Sequence, residues 1–287
     1  MTKKYTSNFA ISKDGTKIHY LQIGSGEGLV FVHGSLMYSK DFTSLAEMLS
    51  NNFTVYIPDR CGRGLSEMHK NYSLQAESED IQAVLDKTNA QYIFGLSSGA
   101  IITLQTAINN SSLKKVAVFE PTIYSDINNV HFNRVIENYS RAIAKQNFGK
   151  AFMNNVKGIG DSNSIMTHLP NFISVPLFNL LIKSAAKKKI ENKDTHLKDL
   201  ILLAKYDFEV YKQSLGMYDN IKNISAEILL LGGEKSHSSI KKSLNELKEY
   251  LPSEKKVLLP NTGHITANNE GKPKLVANEL MKFFNTI

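Results

Sequence analysis

The sequence predicts an α/β fold in which a doubly wound, mostly parallel sheet carries an inserted all-helical cap. Short apolar stretches typical of strands alternate with helical stretches as far as residue 122. From residue 123 to residue 221 only helical periodicity is present, and the alternation of strands and helices then returns. We therefore predict a core formed by residues 1–122 and 222–287, and a helical cap or lid formed by residues 123–221.

The first predicted elements are a β-hairpin and a buried strand. Strands are predicted at 8–11 and 17–23, and the Asp-Gly pair between them favours a tight turn. Residues 29–32 form an apolar run without polar alternation. Such a run is typical of a strand buried on both faces, as in a parallel sheet.

The remaining elements follow from the period of the apolar residues and from turn residues. In the core we predict strands at 53–57, 91–95, 115–119, 227–233 and 255–259, and helices at 40–50, 74–88, 98–109, 238–250 and 272–285. In the cap we predict helices at 130–148, 149–157, 171–189 and 194–218. Breaks in the cap are predicted near 158–160, at Pro170 and at Pro176.

Composition narrows the class of protein. A hydrophobic fraction of 42% is that of a globular protein. Neither a secretory signal nor a membrane-spanning run is recognisable, so we expect a cytoplasmic location without a membrane partner. Cys61 is the only cysteine, which excludes an internal disulfide and indicates a free thiol. We expect a small-molecule substrate and no cofactor or metal, and the sequence leaves the oligomeric state open.

The positive charge does not indicate nucleic-acid binding. The formal net charge is +7, but the basic residues are mostly lysines spread along the chain. The densest cluster, at 187–189, ends a predicted helix, where lysines complement the helix dipole. We therefore expect no nucleic-acid partner.

A Gly-x-Ser-x-Gly pattern lies between a predicted strand and a predicted helix. It consists of Gly95, Ser97 and Gly99 with one residue between each pair. In a nucleophile elbow, small residues two positions either side of the serine let the chain turn sharply from strand to helix. The pattern alone also fits an ordinary turn, so its context decides the interpretation.

That context is a set of motifs in a fixed order, namely His33-Gly34, residues 59–66, residues 95–99 and Gly263-His264. Together they resemble the α/β-hydrolase superfamily, and specifically its serine-nucleophile members with a helical cap. The resemblance covers nearly the whole chain and implies an α/β-hydrolase-like fold.

The resemblance also implies roles for individual residues. Ser97 would be the nucleophile, and His264 would be the base that takes its proton. The oxyanion hole would consist of the backbone amides of Ser35 and Ser98, whose side chains should then matter little. The loop at 59–66 would be structural.

The acid of the catalytic triad departs from the common pattern. Most relatives place an aspartate at a position that is Ser236 here, and a serine cannot stabilise an imidazolium as a carboxylate does. A second branch of the superfamily places the acid one strand earlier, which is Glu120 in this chain. We favour Glu120 because a carboxylate at the end of a buried strand needs a partner. Glu234 is the alternative acid, and a dyad without an effective acid also stays open.

The resulting functional hypothesis is a serine hydrolase of the carboxylesterase type, acting on a small ester or related acyl substrate. Serine at the elbow argues against the epoxide hydrolases and dehalogenases of the superfamily, which use aspartate. The absence of a metal-spaced motif argues against a metallohydrolase. The alternative is a hydrolase-fold ligand sensor or partner-binding protein with little or no turnover.

Overall fold

The computed structural model describes residues 4–123, 130–159, 169–187, 196–251 and 255–285. These residues contain one eight-stranded sheet with the order β1-β2-β4-β3-β5-β6-β7-β8. The strands are β1 (Thr6–Ile11), β2 (Lys17–Gly24), β3 (Glu27–Val32), β4 (Phe53–Pro58), β5 (Tyr92–Leu96), β6 (Lys115–Phe119), β7 (Glu227–Gly233) and β8 (Lys255–Leu259). β1 and β2 pair antiparallel, and β3 to β8 are parallel. The predicted α/β fold with a mostly parallel sheet is confirmed.

Helices flank the sheet and fill the interval between β6 and β7. The core helices are α1 (Thr43–Leu49), α2 (Leu74–Thr88), α3 (Ser98–Asn109), α9 (Ser238–Tyr250) and α10 (Pro273–Phe284). The described helices between β6 and β7 are α4 (Val130–Ala144), α5 (Phe148–Ile159), α6 (Asn171–Lys187), α7 (Leu197–Gln213) and α8 (Tyr218–Ile221). None of these described helices has the length and apolar character that crossing a membrane requires.

Strand β3 is an example of a parallel strand that is apolar from Leu29 to Val32 because both of its faces are buried. Its residues Leu29, Val30, Phe31 and Val32 are all fully buried. Leu29 and Phe31 belong to an apolar cluster that contains residues of α1 and α10, whereas Val30 and Val32 belong to a second cluster with residues of α2 and α3. Successive side chains of a strand point to opposite faces, so both faces of this sheet are covered by helices.

The helices between β6 and β7 differ from the sequence prediction in two places. The prediction of a helix break at Pro176 is wrong, because α6 continues through this residue. Proline has no backbone N–H, so the carbonyl of Phe172, four residues earlier, lacks its helical hydrogen-bond donor. Phe172 is exposed, so water can donate to this carbonyl instead. The single helix predicted at 194–218 is two helices, with Gly216 between them at a φ of 81°. The predicted helix ends at 189 and 194 lie outside the described residues. Of the break predicted near 158–160, residues 158 and 159 belong to α5, and residue 160 lies outside the described residues.

His69 connects the β1–β2 turn to helix α2. Its Nδ1 atom lies 2.8 Å from Oδ2 of Asp14, and its Nε2 atom lies 2.8 Å from Oδ2 of Asp80. The hydrogen bond to Asp80, the charge of Asp80 and the hydrogen bond to Asp14 all favour the protonated ring. Together they outweigh burial, which favours the neutral ring, and they raise the pKa of His69 to about 9. Burial raises the pKa of Asp80 to about 6. Between about pH 6 and about pH 9 the Asp80 carboxylate and the His69 imidazolium are therefore both charged.

This ion pair predicts a pH dependence of stability. The folded state retains the His69 proton up to about pH 9, whereas an unfolded histidine loses it near about pH 6.5. The stabilisation is therefore complete below the unfolded pKa and is lost as the pH rises through the folded pKa. We expect the difference in unfolding free energy between wild type and His69→Gln, measured by urea denaturation, to shrink from about pH 7 to about pH 10. The exposed His131 supplies the matched control, His131→Gln, and a pH-independent difference for His69→Gln contradicts the prediction.

Candidate active site

Ser97 occupies a strained turn between β5 and α3. Its backbone has φ 56° and ψ −121°, a combination that residues with a Cβ rarely adopt. The neighbouring glycines are required by close packing. A Cβ at Gly95 would lie 2.3 Å from Oγ1 of Thr103, and a Cβ at Gly99 would lie 2.3 Å from the carbonyl oxygen of Val32. The turn therefore presents the Ser97 hydroxyl at the carboxyl end of the sheet.

His264 lies against Ser97 from the loop that follows β8. Its Nε2 atom is 2.9 Å from Oγ of Ser97. Its Nδ1 atom is 2.7 Å from Oε2 of Glu120, which directly follows β6. All three side chains are buried. The structure thus brings together the three residues that the sequence analysis favoured, although they are far apart in the chain.

Glu120 is held by donors from the end of β7 and the loop after it, as well as by His264. Its Oε1 atom accepts a hydrogen bond from the backbone amide of Gly233 at 2.6 Å and another from the hydroxyl of Ser236. Ser236 occupies the position where relatives were expected to carry the acid. In this chain that position supplies a donor to the relocated carboxylate.

Glu234 does not reach His264 in the structure. Its side chain is exposed, and Oε2 accepts a hydrogen bond from the backbone amide of Asn261 at 3.1 Å. The alternative acid therefore supports the turn after β8, and Glu120 is the carboxylate in contact with the histidine.

Ser98 and the turn that contains Ser35 both lie next to Ser97. Ser98 is the first residue of α3, and the turn containing Gly34 packs so closely that a Cβ there would lie 3.2 Å from Cβ of Ser97. Neither amide donates a hydrogen bond to another residue in the part of the chain described. The amide of Ser98, at the N-terminus of α3, is suited to an anionic ligand.

The side chain of Ser98 has a larger structural role than the sequence suggested. Its hydroxyl donates to Oδ1 of Asp207 at 2.8 Å and accepts from Nη1 of Arg60 at 3.0 Å. Asp207 lies on α7, so this hydroxyl joins α3, which begins directly after Ser97, to α7.

The Ser98 hydroxyl belongs to a hydrogen-bonded network of four buried charged side chains, two positive and two negative. Arg60 donates to both oxygens of Glu77 at 2.7 Å and to Asp207 at 2.8 Å, and Arg63 donates to Asp207 at 2.7 Å. Burial alone would raise the pKa of Glu77, but the charge and hydrogen bonds of Arg60 outweigh it and lower that pKa. The pKa of Asp207 is lowered in the same way by Arg63 and Arg60. The loop at 59–66 therefore has the structural role that the resemblance implied.

His33 is a structural histidine. Its Nε2 atom accepts a hydrogen bond from the amide of Arg60 at 3.1 Å, and its Nδ1 atom faces the carbonyl of Gly34 at 3.0 Å. Burial and the charges of Arg60 and Arg63 lower the pKa of His33 to about 3. It is neutral at physiological pH, and its ring supports the turn next to Ser97.

Sequence reasoning missed Tyr211 and Asp207, which lie one turn apart on α7. The hydroxyl of Tyr211 is 3.3 Å from Oγ of Ser97. The only available signal was an aspartate in a predominantly apolar helix, because a buried carboxylate requires partners.

One group of described side chains has a spacing compatible with a metal ion. Ligand atoms of Cys61, His69 and Asp80 lie within 4.8 Å of one another. Both ring nitrogens of His69 already face carboxylates. Burial raises the pKa of the Cys61 thiol to about 12, which keeps it protonated. The ring nitrogens and the thiol are thus not available as metal ligands, although Oδ1 of Asp80 has no hydrogen-bond partner among the described residues.

Two curated proteins align with part of the chain. An uncharacterized hydrolase of Bacillus subtilis, YraK, is 35% identical over 109 residues, which cover 36% of this chain and 40% of that protein. A cis-3-alkyl-4-alkyloxetan-2-one decarboxylase of Shewanella oneidensis is 33% identical over 85 residues, which cover 28% of this chain and 27% of that protein. The chain therefore aligns with less than half the length of these relatives.

Similarity over the full length comes from a solved structure and from the family match. An alpha/beta hydrolase of Sphaerobacter thermophilus has a TM-score of 0.75 and 26% identity, and the alignment covers 97% of this chain and 100% of that one. The alpha/beta hydrolase fold family matches residues 28–267. This match spans most of the sheet and includes the elbow and the histidine loop, and the chain belongs to the alpha/beta hydrolase fold family.

Proposed function

We propose that the protein is a serine hydrolase that forms an acyl-enzyme on Ser97 and acts on a small ester or a related acyl compound. The observation that carries the proposal is the continuous hydrogen-bonded chain from Glu120 through His264 to Ser97. A serine hydroxyl is a poor nucleophile until an oriented base takes its proton, and this chain supplies the base and its orientation.

In the acylation step, Oγ of Ser97 attacks the carbonyl carbon while its proton passes to Nε2 of His264. The carbonyl oxygen becomes an oxyanion and accepts hydrogen bonds from the amides of Ser35 and Ser98. Glu120 stabilises the imidazolium through Nδ1. When the tetrahedral intermediate collapses, the bond to the leaving group breaks and His264 returns its proton to the departing oxygen.

In the deacylation step, water replaces the alcohol. His264 takes a proton from the water as its oxygen attacks the acyl carbon, and the same oxyanion hole stabilises the second intermediate. Collapse releases the carboxylic acid and returns the proton to Ser97. Every step uses side chains and amides of this chain, so the proposal needs no cofactor.

Two further parts of the proposal come from the sequence. We propose that the helices between β6 and β7, within residues 123–221, act as a cap that selects the substrate. A cytoplasmic location and a small-molecule substrate as the partner remain part of the same proposal.

Replacing the nucleophile tests the proposed reaction. We expect Ser97→Ala to lower the hydrolysis rate of p-nitrophenyl acetate and butyrate at least about 1,000-fold, because no acyl-enzyme can form. Circular dichroism checks that the fold is retained. Equal and negligible rates in wild type and variant would contradict the enzyme hypothesis and favour a ligand sensor.

A second comparison identifies the acid. We expect Glu120→Gln to lower kcat at least about tenfold with the fold intact, because the imidazolium loses its charge partner. Glu234→Gln is the matched control, since the same change is made at an exposed carboxylate that lies away from His264. Steady-state kinetics on both variants decide the assignment, and a loss confined to Glu234→Gln would show that it is wrong.

A further inference from the structure

We propose that Tyr211 is a further catalytic residue, whose phenol donates a hydrogen bond to the oxyanion formed when Ser97 attacks the substrate. The inference rests on the proposed serine hydrolase function and adds a side-chain donor from α7 to the two backbone amides. Its starting point is the 3.3 Å contact between the Tyr211 hydroxyl and Oγ of Ser97.

The direction of this hydrogen bond follows from the other members of the site. The Glu120 carboxylate accepts, so Nδ1 of His264 carries the ring proton and donates to it at 2.7 Å. The unprotonated Nε2 then accepts the single proton of the Ser97 hydroxyl at 2.9 Å. Since Ser97 has no second proton, Tyr211 is the donor in the contact between the two hydroxyls.

A donor to the nucleophile becomes useful only when the reaction starts. In the resting enzyme it withdraws electron density from a lone pair of Oγ, which does not help attack. As that lone pair forms the new bond to carbon, Oγ becomes a weaker acceptor for Tyr211, and the substrate oxygen gains negative charge on the same tetrahedral carbon. A hydrogen bond that transfers to this oxygen is stronger in the transition state than in the ground state, and such interactions accelerate the chemical step.

The carbonyl oxygen is the new acceptor that the proposed reaction creates on the carbon bonded to Oγ. The leaving-group oxygen already receives a proton from His264 in the proposed mechanism. The contact is also shielded from water, since Tyr211 is 3% and Ser97 is 4% exposed. In such an environment a hydrogen bond to a charged oxygen is stronger than in water.

Asp207 is the positioning residue for Tyr211. It lies one helical turn earlier on α7, and residues at this spacing share a helix face. Its carboxylate is fixed by Arg60, Arg63 and Ser98, at distances of 2.8, 2.7 and 2.8 Å. Because Ser98 adjoins the nucleophile, these bonds set the distance between α7 and the elbow directly.

Both the ring and the backbone of Tyr211 contact neighbouring residues. It makes an edge contact with Phe132 at 5.8 Å between ring centroids, and its backbone carbonyl accepts from the Ser214 hydroxyl at 2.8 Å. The phenol is therefore preorganised, which is what an oxyanion donor requires.

The test compares Tyr211→Phe with Tyr206→Phe, which makes the same change elsewhere on α7. We expect Tyr211→Phe to lower kcat for p-nitrophenyl butyrate about 100-fold, with KM changed less than about threefold and melting temperature retained. We expect the same loss with ethyl butyrate, since a carbonyl donor acts whatever the leaving group. An unchanged kcat, an effect on KM alone, or a loss only with the poor leaving group would each overturn the proposal.

Covalent labelling separates this inference from the proposed function. A fluorophosphonate reacts with Ser97 by forming an O–P bond and releasing fluoride, and its phosphoryl oxygen takes the place of the oxyanion. We expect the second-order labelling rate, followed by mass spectrometry, to fall at least about tenfold in Tyr211→Phe and not in Tyr206→Phe. Equal labelling of wild type and Tyr211→Phe would overturn the role of Tyr211 alone, whereas no labelling of the wild type would overturn the proposed function and this inference together.

A double-mutant cycle tests the positioning role of Asp207. If Asp207 acts on kcat through Tyr211, the loss caused by Asp207→Asn is smaller in the Tyr211→Phe background than in wild type. Thermal unfolding of the same variants measures the structural cost separately. Equal losses of kcat in both backgrounds would overturn the positioning role.

Discussion

The burial of one carboxylate determines how the ends of three strands are arranged. Glu120 is 1% exposed, and an unpaired charge at that depth would cost several kcal/mol. Three donors offset this cost, namely the amide of Gly233, the hydroxyl of Ser236 and Nδ1 of His264. The donors come from the end of β7 and from the loops after β7 and β8, so the buried acid links these segments. The orientation of the histidine ring towards Ser97 is a consequence of this arrangement.

Backbone pairing explains how the sheet tolerates two strained residues side by side. Ser97 has φ 56° and Glu120 has φ 51°, and each directly follows one of two neighbouring parallel strands. The amide of Ser97 nevertheless donates to the carbonyl of Phe119, and the amide of Glu120 donates to the carbonyl of Leu231, both at 2.9 Å. The strand pairing therefore extends one residue beyond each strand. The side chains of Ser97 and Glu120 therefore project from positions whose backbone amides are hydrogen-bonded to the neighbouring strand.

The sequence predicted the parts of this protein that depend on local pattern. Strand β7 follows a continuous apolar run, and helix α2 follows the period of its apolar face, because each packs on a continuous core. Glu120 was found because Ser236 removed the usual candidate and a buried strand end makes a carboxylate costly. Tyr211 could not be predicted in the same way, since its contact joins residues 114 positions apart and depends on how α7 docks on α3.

Ser236 lies where the carboxylate of Glu120 also reaches, although the two residues follow different strands. β6 and β7 are paired in register, with Phe119 opposite Leu231, and the hydroxyl of Ser236 touches the carboxylate of Glu120. The two positions thus share one small volume next to the ring. A serine in the customary acid position is therefore compatible with a carboxylate in contact with the histidine.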